Sequence, residues 1–433
     1  MTSPTFSIAA AFVVLGVAGY ATLEAPTAAY PRLMAYVALA SVGWLLARHA
    51  ARSRPERAAP LGLILGLALA ARLLVVVPYE PLSDDLYRYL WDGRVANAGI
   101  DPFAHPPTSP ELADLRDDEI WPRVNHPDVP TIYPAVAQLA FRLLDAAGGD
   151  PRSPRVLAAF ADFATVVLLV GLLRRRGRPG GLAVVAAWCP LAILETGGGG
   201  HVDALGVFLL VASLALEGGT RARALAAGIL LGASILVKPV AVFLLPALAL
   251  ARPRGERLPW VIGGLIALAL VFLHADAGAK MFTGFRTYAE NWRFHDLVYG
   301  PLVRLGLGPR GARLVLAAAL GIASIVVPLR VRDPLAAGGI VVAMLLALSP
   351  TVHPWYALWL VPFVPFLPRA LELGATTFLL FLPVVYASAW TLLRTGEWTE
   401  PLWSRVLGWA PALLVTAWAA WRQASASRRA GSG

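Results

Sequence analysis

The sequence predicts an all-α, polytopic integral membrane protein with about 13–14 transmembrane helices. Composition is the first reason: of 433 residues, 58% are hydrophobic and 15% charged, against about 45–50% apolar and about 25% charged for soluble domains. Second, the apolar residues arrive in runs along nearly the whole chain, which bilayer thickness explains better than a series of soluble cores. Third, arginines gather in short clusters between those runs, as the positive-inside rule requires of cytoplasmic connections. A single membrane domain over residues 1–433 follows.

The first run, 6–23, lacks a basic segment before it and a small-residue cleavage site, so it reads as a span rather than a removable signal. Further runs lie near 33–47, 60–78, 155–173, 181–195, 201–217, 222–237, 239–251 and 258–275, then near 310–329, 335–349, 354–367, 373–392 and 402–421. With both termini cytoplasmic, the connections Arg48 to Arg57, Arg174 to Arg178, Arg221 to Arg223, Arg252 to Arg257, Arg330 to Arg332, Arg369 and the tail hold 19 of the 37 basic residues. Counting the stretch near 132–147 as a span would move the Arg174 to Arg178 cluster outside, so it is placed as an interfacial helix.

Two long segments then face outward, 79–154 and 276–309. The first holds 13 of the chain's 27 carboxylates. X-Pro steps such as His126-Pro127 and Tyr133-Pro134 favour extended backbone there, while Trp91, Phe103, Trp121 and Tyr133 offer apolar surface, so an ordered cap is expected. The net charge of +10 does not point to nucleic acid, because the arginines do not line one soluble face. Cys189 stands alone and offers neither a disulfide nor a metal cluster.

Asp84 and Asp85 follow directly on the run at 60–78. Adjacent carboxylates repel, which raises the pKa of one unless a cation compensates; Arg88 lies on the same face of a helix starting there. The pair suits a general base for a substrate hydroxyl, and a helix N-cap is the structural alternative. Lys238, within apolar sequence, carries a charge that membrane insertion penalises, so it is a candidate phosphate ligand, unless it only snorkels to the headgroups. His353-Pro354-Trp355-Tyr356 combines a phosphate donor with aromatics that also serve as interfacial anchors. His201 and Asp203 follow four glycines, Gly197 to Gly200, which permit close backbone approach but lack the lysine of a phosphate loop. Asp162, Arg72 and Glu195 at apolar positions can pair without catalysing anything. Tyr288, Asn291, Trp292, Arg293, His295 and Tyr299 suit sugar stacking or an interfacial helix.

The run Ser83 to Arg94, followed by Gly99-Ile100-Asp101-Pro102-Phe103, resembles the "SDD-x-YRYLWDGR … GINPY" signature of bacterial GT-C superfamily glycosyltransferases, nearest to the polyprenol-phosphate-mannose-dependent α-mannosyltransferases and their glycosyltransferase family 87 relatives. Ile132-Tyr133-Pro134 resembles that group's "IYPP", with Ala135 at the second proline; Asp101 stands where the signature has Asn. Lys238-Pro239 and His353-Pro354-Trp355-Tyr356 also resemble recurrent elements. The resemblance implies a GT-C-like fold, a polyprenyl-phosphate sugar donor, a glycan or lipid-linked acceptor, an extracytoplasmic active site and an inverting single displacement. It implies that Asp84 or Asp85 is the base. On this expectation Lys238, Arg88, Arg94 and His353 meet the donor phosphate, and Tyr87, Trp91, Asp92, Tyr133, His201, Asp203, Trp355 and Tyr356 line the substrate. Two aspartates also admit a divalent metal, although the reading leans to metal independence. A transporter or flippase of lipid-linked sugars and a noncatalytic scaffold are the competing classes; the first predicts pseudo-symmetric halves.

Overall fold

Glycine and proline decide which apolar runs become long helices and which break. The computed structural model describes residues 4–53, 60–78 and 80–430; Arg54 and Arg57 of the first basic cluster, Tyr79 at the start of the cap and the side chain of Arg429 in the tail lie outside the described residues. Helices α1 (Pro4–Ala21), α2 (Tyr30–Ser53) and α3 (Leu61–Leu74) precede the cap. Its two principal helices are α4 (Asp85–Asn97) and α5 (Ala135–Ala146), and α6 (Ser153–Arg175) returns into the bundle. The protein is an all-α polytopic membrane protein: among the described residues six helices are long and apolar enough to span a bilayer, namely α1, α2, α6, Arg254–Asn291, Tyr299–Arg330 and Arg369–Thr395. Gly180–Ala187 and Pro190–Gly198 form a pair bent by 59°, which makes up to seven, and four shorter apolar helices fill in between.

The difference from about 13–14 spans has local causes. Pro354, Pro362 and Pro365 withdraw backbone donors, so 354–367 folds as two 3-10 helices, Pro354–Trp359 and Val361–Phe366. Segment 276–309 is helical on either side of the non-helical stretch 292–298, with kinks where Gly278 and Gly306 adopt positive φ. Elsewhere small residues let helices touch: a Cβ on Gly228 would stand 1.9 Å from the Trp260 carbonyl oxygen, the close backbone approach on which membrane helix pairs rely. Large apolar side chains such as Leu265, Phe272, Leu314 and Leu414 project outward, as lipid-facing positions do.

The expected helix near 132–147 is α5, and it packs on α4 through Ala137 and Phe141. A separate core of Leu86, Tyr89, Leu90, Trp91, Leu112, Ile120 and Phe141 stabilises the cap and reaches Val202 and Val237, so the cap is sealed onto the two membrane segments that carry His201, Asp203 and Lys238. The N–H groups of Val136 and Ala137 donate to the Leu236 carbonyl at 3.0 and 3.2 Å.

Two charge clusters inside the bundle are paired. Arg72 donates to Asp162 at 2.8 Å and to the carbonyls of Ala68, Ala187 and Ala186. Glu372 receives Arg48, Arg52 and Arg369. Breaking a buried pair by removing one partner costs about 3–5 kcal/mol. Asp162→Ala is therefore expected to lower the melting temperature of the detergent-solubilised protein sharply, while the double variant Arg72→Met, Asp162→Leu recovers part of the loss. A single variant as stable as the wild type would show that the pair carries no weight.

Candidate functional site

The cap is built first, and it consumes several residues expected to touch substrate. Arg88 donates to Asp92 at 2.9 Å and to the carbonyls of Val129 at 2.9 Å and His126 at 3.4 Å. Asp92 also receives Thr131 and Gln138. Arg94 donates to Asp117 at 2.5 Å and to the Leu115 carbonyl, Tyr87 receives Arg123 at 2.5 Å, and Trp91 is buried against Trp121. The structure thus gives Arg88, Asp92, Arg94, Tyr87 and Trp91 to the frame of the cap, where they position what precedes them on α4.

What precedes them is the carboxylate pair. Asp84 occupies the N-cap position of α4 but makes no capping bond; Ser83 Oγ instead accepts the Asp85 N–H at 3.3 Å. Both carboxylates are free for other partners, and Asn125 supplies one: its Nδ2 donates to Asp84 at 3.2 Å and to Asp85 at 2.7 Å. Burial raises the Asp85 pKa to about 7; the charge of Asp84 and that of Asp203 push the same way, while the Asn125 hydrogen bond and Lys238 work against them. Asp84 is the more exposed of the two.

Below the pair, the chain's breaks supply the opposite wall. Lys238 precedes Pro239 and takes the extended conformation that proline imposes on its predecessor. Its ammonium donates to both oxygens of Asp203, at 2.8 and 3.0 Å, and sits 4.0 Å from the centre of the Tyr356 ring. Asp203 also receives the Trp359 indole at 2.8 Å. Lys238 is therefore not a snorkelling residue, yet its side chain keeps 21% exposure toward the site. The hydroxyls of Tyr356 and Tyr288 bond to each other. His201 stacks on Trp355 at 3.9 Å, and Trp355 on His353 at 4.4 Å. Phe294 closes the column at 4.9 Å from His353, held by its N–H to Pro350 and its carbonyl to Val352. Tyr133 meets Tyr89 edge-on at 5.1 Å.

His201 in turn lies 3.6 Å from Asp85 through Nδ1 and 3.3 Å from Glu195 through Nε2. The four glycines make this approach: a Cβ on Gly197 would lie 2.3 Å from the Arg72 carbonyl oxygen, and Gly200 adopts φ +74. Of the expected residues, Asp84, Asp85, His201, Asp203, Lys238, His353, Trp355, Tyr356 and Tyr133 converge. Asn125, Glu195, Tyr288, Trp359 and Tyr386 join them. Asn125 carries no sequence signal, because its role depends on a long-range fold of the cap; Glu195 signalled itself only as a charge in an apolar run.

The Asn125 amide already points its N–H between the two aspartates, and among the described residues no group of three or more His, Cys, Asp or Glu side chains is arranged to hold a metal.

A family model described as alpha-(1->6)-mannopyranosyltransferase, N-terminal domain (MptA_B family), matches residues 7–254, more than half of the chain. No curated protein sequence matches, and no solved structure does.

Because the Asn125 bond favours the charged form of Asp85, Asn125→Leu is expected to move the Asp85 titration above about 7. Infrared titration of the carboxyl band, with Asp85→Asn identifying the signal, measures it; an unmoved midpoint would remove Asn125 from the site's electrostatics.

Proposed function

The chain belongs to the alpha-(1->6)-mannopyranosyltransferase (MptA_B) family and catalyses mannosyl transfer; from that premise we propose that it takes mannose from a polyprenyl-phosphate donor to a glycan or lipid-linked acceptor, with inversion and with Asp85 as general base. One observation carries the choice of Asp85: it is the carboxylate of the pair that turns inward, 3.6 Å from His201 and bonded by Asn125 at 2.7 Å, where burial pushes its pKa up to about 7. A base whose pKa lies near working pH combines a useful ionised fraction with real proton affinity.

In the proposed reaction the acceptor hydroxyl passes its proton to Asp85 as its oxygen forms the new bond to the anomeric carbon. The bond from that carbon to the phosphate oxygen breaks on the opposite face, and the electron pair leaves with the polyprenyl phosphate. Fixed charge aimed at a leaving group stabilises it without reorganisation at the moment of reaction. Lys238 supplies that charge, with His353 two ring steps from His201 along the aromatic column. Arg88 and Arg94 act at one remove, by holding the cap. Tyr356, Tyr288 and Tyr133 offer aromatic surface to sugar, while Trp355 is held in the column between His201 and His353. The polyprenyl chain lies in the bilayer and the polar acceptor approaches from water. The basic connections and the tail support a topology with both termini in the cytoplasm and the cap outside. The reaction runs without a metal, so chelation of divalent cations leaves the rate unchanged.

Transfer from radiolabelled polyprenyl-phosphate mannose in membranes, at matched expression, tests the reading. Asp85→Asn is expected to reduce transfer by about 10²- to 10⁴-fold, the usual worth of a positioned base, and Asp84→Asn to retain more activity. Loss confined to Asp84→Asn would move the base by one residue, and wild-type silence with every polyprenyl-phosphate sugar would overturn the donor.

A further inference from the structure

Glu195 has no part in the displacement above, and its surroundings are unusual. It is 1% exposed, in the π turn Leu194–Gly198 that ends the second half of the bent helix pair. One oxygen accepts the Tyr386 hydroxyl at 2.8 Å. The other, Oε2, has no hydrogen-bond partner and lies 3.3 Å from His201 Nε2. His201 is 0% exposed, and neither of its ring nitrogens has a hydrogen-bond partner; Nδ1 lies 3.6 Å from Asp85 Oδ2. An imidazole thus stands between two carboxylates, its ring fixed by stacking on Trp355 and its backbone N–H on the Glu195 carbonyl at 3.2 Å. A Cβ on Gly199 would lie 2.7 Å from the His201 ring, so the glycine is needed for the ring to sit there. Buried polar atoms left without partners are rare and call for an explanation.

We propose that His201 and Glu195 form a proton relay behind Asp85, which clears the acceptor's proton from the base within the catalytic cycle. The inference rests on Asp85 being the base. At the start the ring carries its hydrogen on Nε2, toward an ionised Glu195, and presents the Nδ1 lone pair to an ionised Asp85. The acceptor's O–H bond breaks and Asp85 takes the proton. Asp85 passes it to Nδ1 as Nε2 gives its hydrogen to Glu195 Oε2. One proton has then moved from the hydroxyl to Glu195, the ring has changed tautomer, and Asp85 is again a carboxylate. The return path delivers the proton to the departing phosphate monoester or to water, and restores the first tautomer. The gaps of 3.6 and 3.3 Å become hydrogen bonds after shifts of less than about 1 Å.

Other ionisable groups face this line: Lys238 and His353 act on His201, Asp203 and Asp85 on Glu195, and Tyr20 and Tyr386 border Glu195. The relay therefore has to be read by more than loss of activity. We would measure kcat, KM for donor and acceptor, the pH profile and the solvent isotope effect in membranes for the wild type, Asp85→Asn, Glu195→Gln, His201→Gln and Tyr386→Phe. Glu195→Gln and His201→Gln are expected to lower kcat by about 10²-fold, at the lower end of general-base effects, with KM nearly unchanged and one ionisation missing from the profile. Tyr386→Phe, which keeps every buried charge, gives a smaller fall in kcat with a shifted profile and serves where a charge variant does not fold. Asp85→Asn inactive beside Glu195→Gln or Tyr386→Phe with wild-type kcat and profile would overturn the relay and leave the base standing. An active Asp85→Asn would overturn the base itself.

Discussion

Arg155 is the fixed point of the site. Its guanidinium, 1% exposed as a residue, donates to the carbonyls of Gly197 at 2.9 Å and of Pro78 and Val75 at 2.6 Å each. These carbonyls belong to chain that has just left helical geometry: the exit of α3 on one side and the glycine turn on the other. Within a bilayer, irregular backbone survives only where protein satisfies its polar groups. By answering both segments from one side chain, Arg155 ties the start of the cap to the glycine turn that ends the bent membrane pair, and the N–H of Leu82 adds a bond to the Gly198 carbonyl at 3.0 Å. Asp85 therefore arrives opposite His201 because of a constraint several residues away from either.

The same constraint accounts for how charge is distributed. Isolated ions in low dielectric are costly, and pairing recovers only part of that cost, so Arg72 with Asp162 and Glu372 with its three arginines serve as structural joints. The site departs from this pattern. Lys238 is paired with Asp203 yet keeps some exposure, while His201 and one oxygen of Glu195 are buried and unmet. At the site, that unfulfilled polar capacity stands directly behind Asp85.

Much of this was legible from sequence. The apolar runs and arginine clusters gave the class, the acidic segment gave the cap, and Asp84, Asp85, Lys238, His201 and His353 stood out as charge or imidazole in the wrong solvent. What sequence leaves open is which of two local roles each residue plays. Asp84 followed by Asp85 reads equally as a cap or as free carboxylates, until Ser83 is seen to take the N–H. Arg88 reads as a phosphate ligand, until the carbonyls of His126 and Val129, some forty residues on, are seen to occupy it. Asn125 and Tyr386 were hidden for the same reason: their partners lie 40 and 191 residues away, and neither type is unusual at its position. The run at 354–367 misled because hydropathy counts proline's neighbours and not the donors proline removes.

Why the chain keeps two adjacent carboxylates follows from helix geometry. Successive residues at a helix start diverge by about 100° around the axis, so only one of the pair can face His201. Asp85 does, at 3.6 Å; Asp84, pointing outward, meets solvent. Asn125 spans the angle between them and makes the pair electrostatically one unit, so that the charge of Asp84 helps hold the proton affinity of Asp85 high while Lys238 limits it. A single buried carboxylate on this wall, facing Lys238 without its twin, would ionise more readily and bind a proton less well. The second aspartate thus tunes the first, and the adjacency that signals the site in sequence is also what adjusts its acidity.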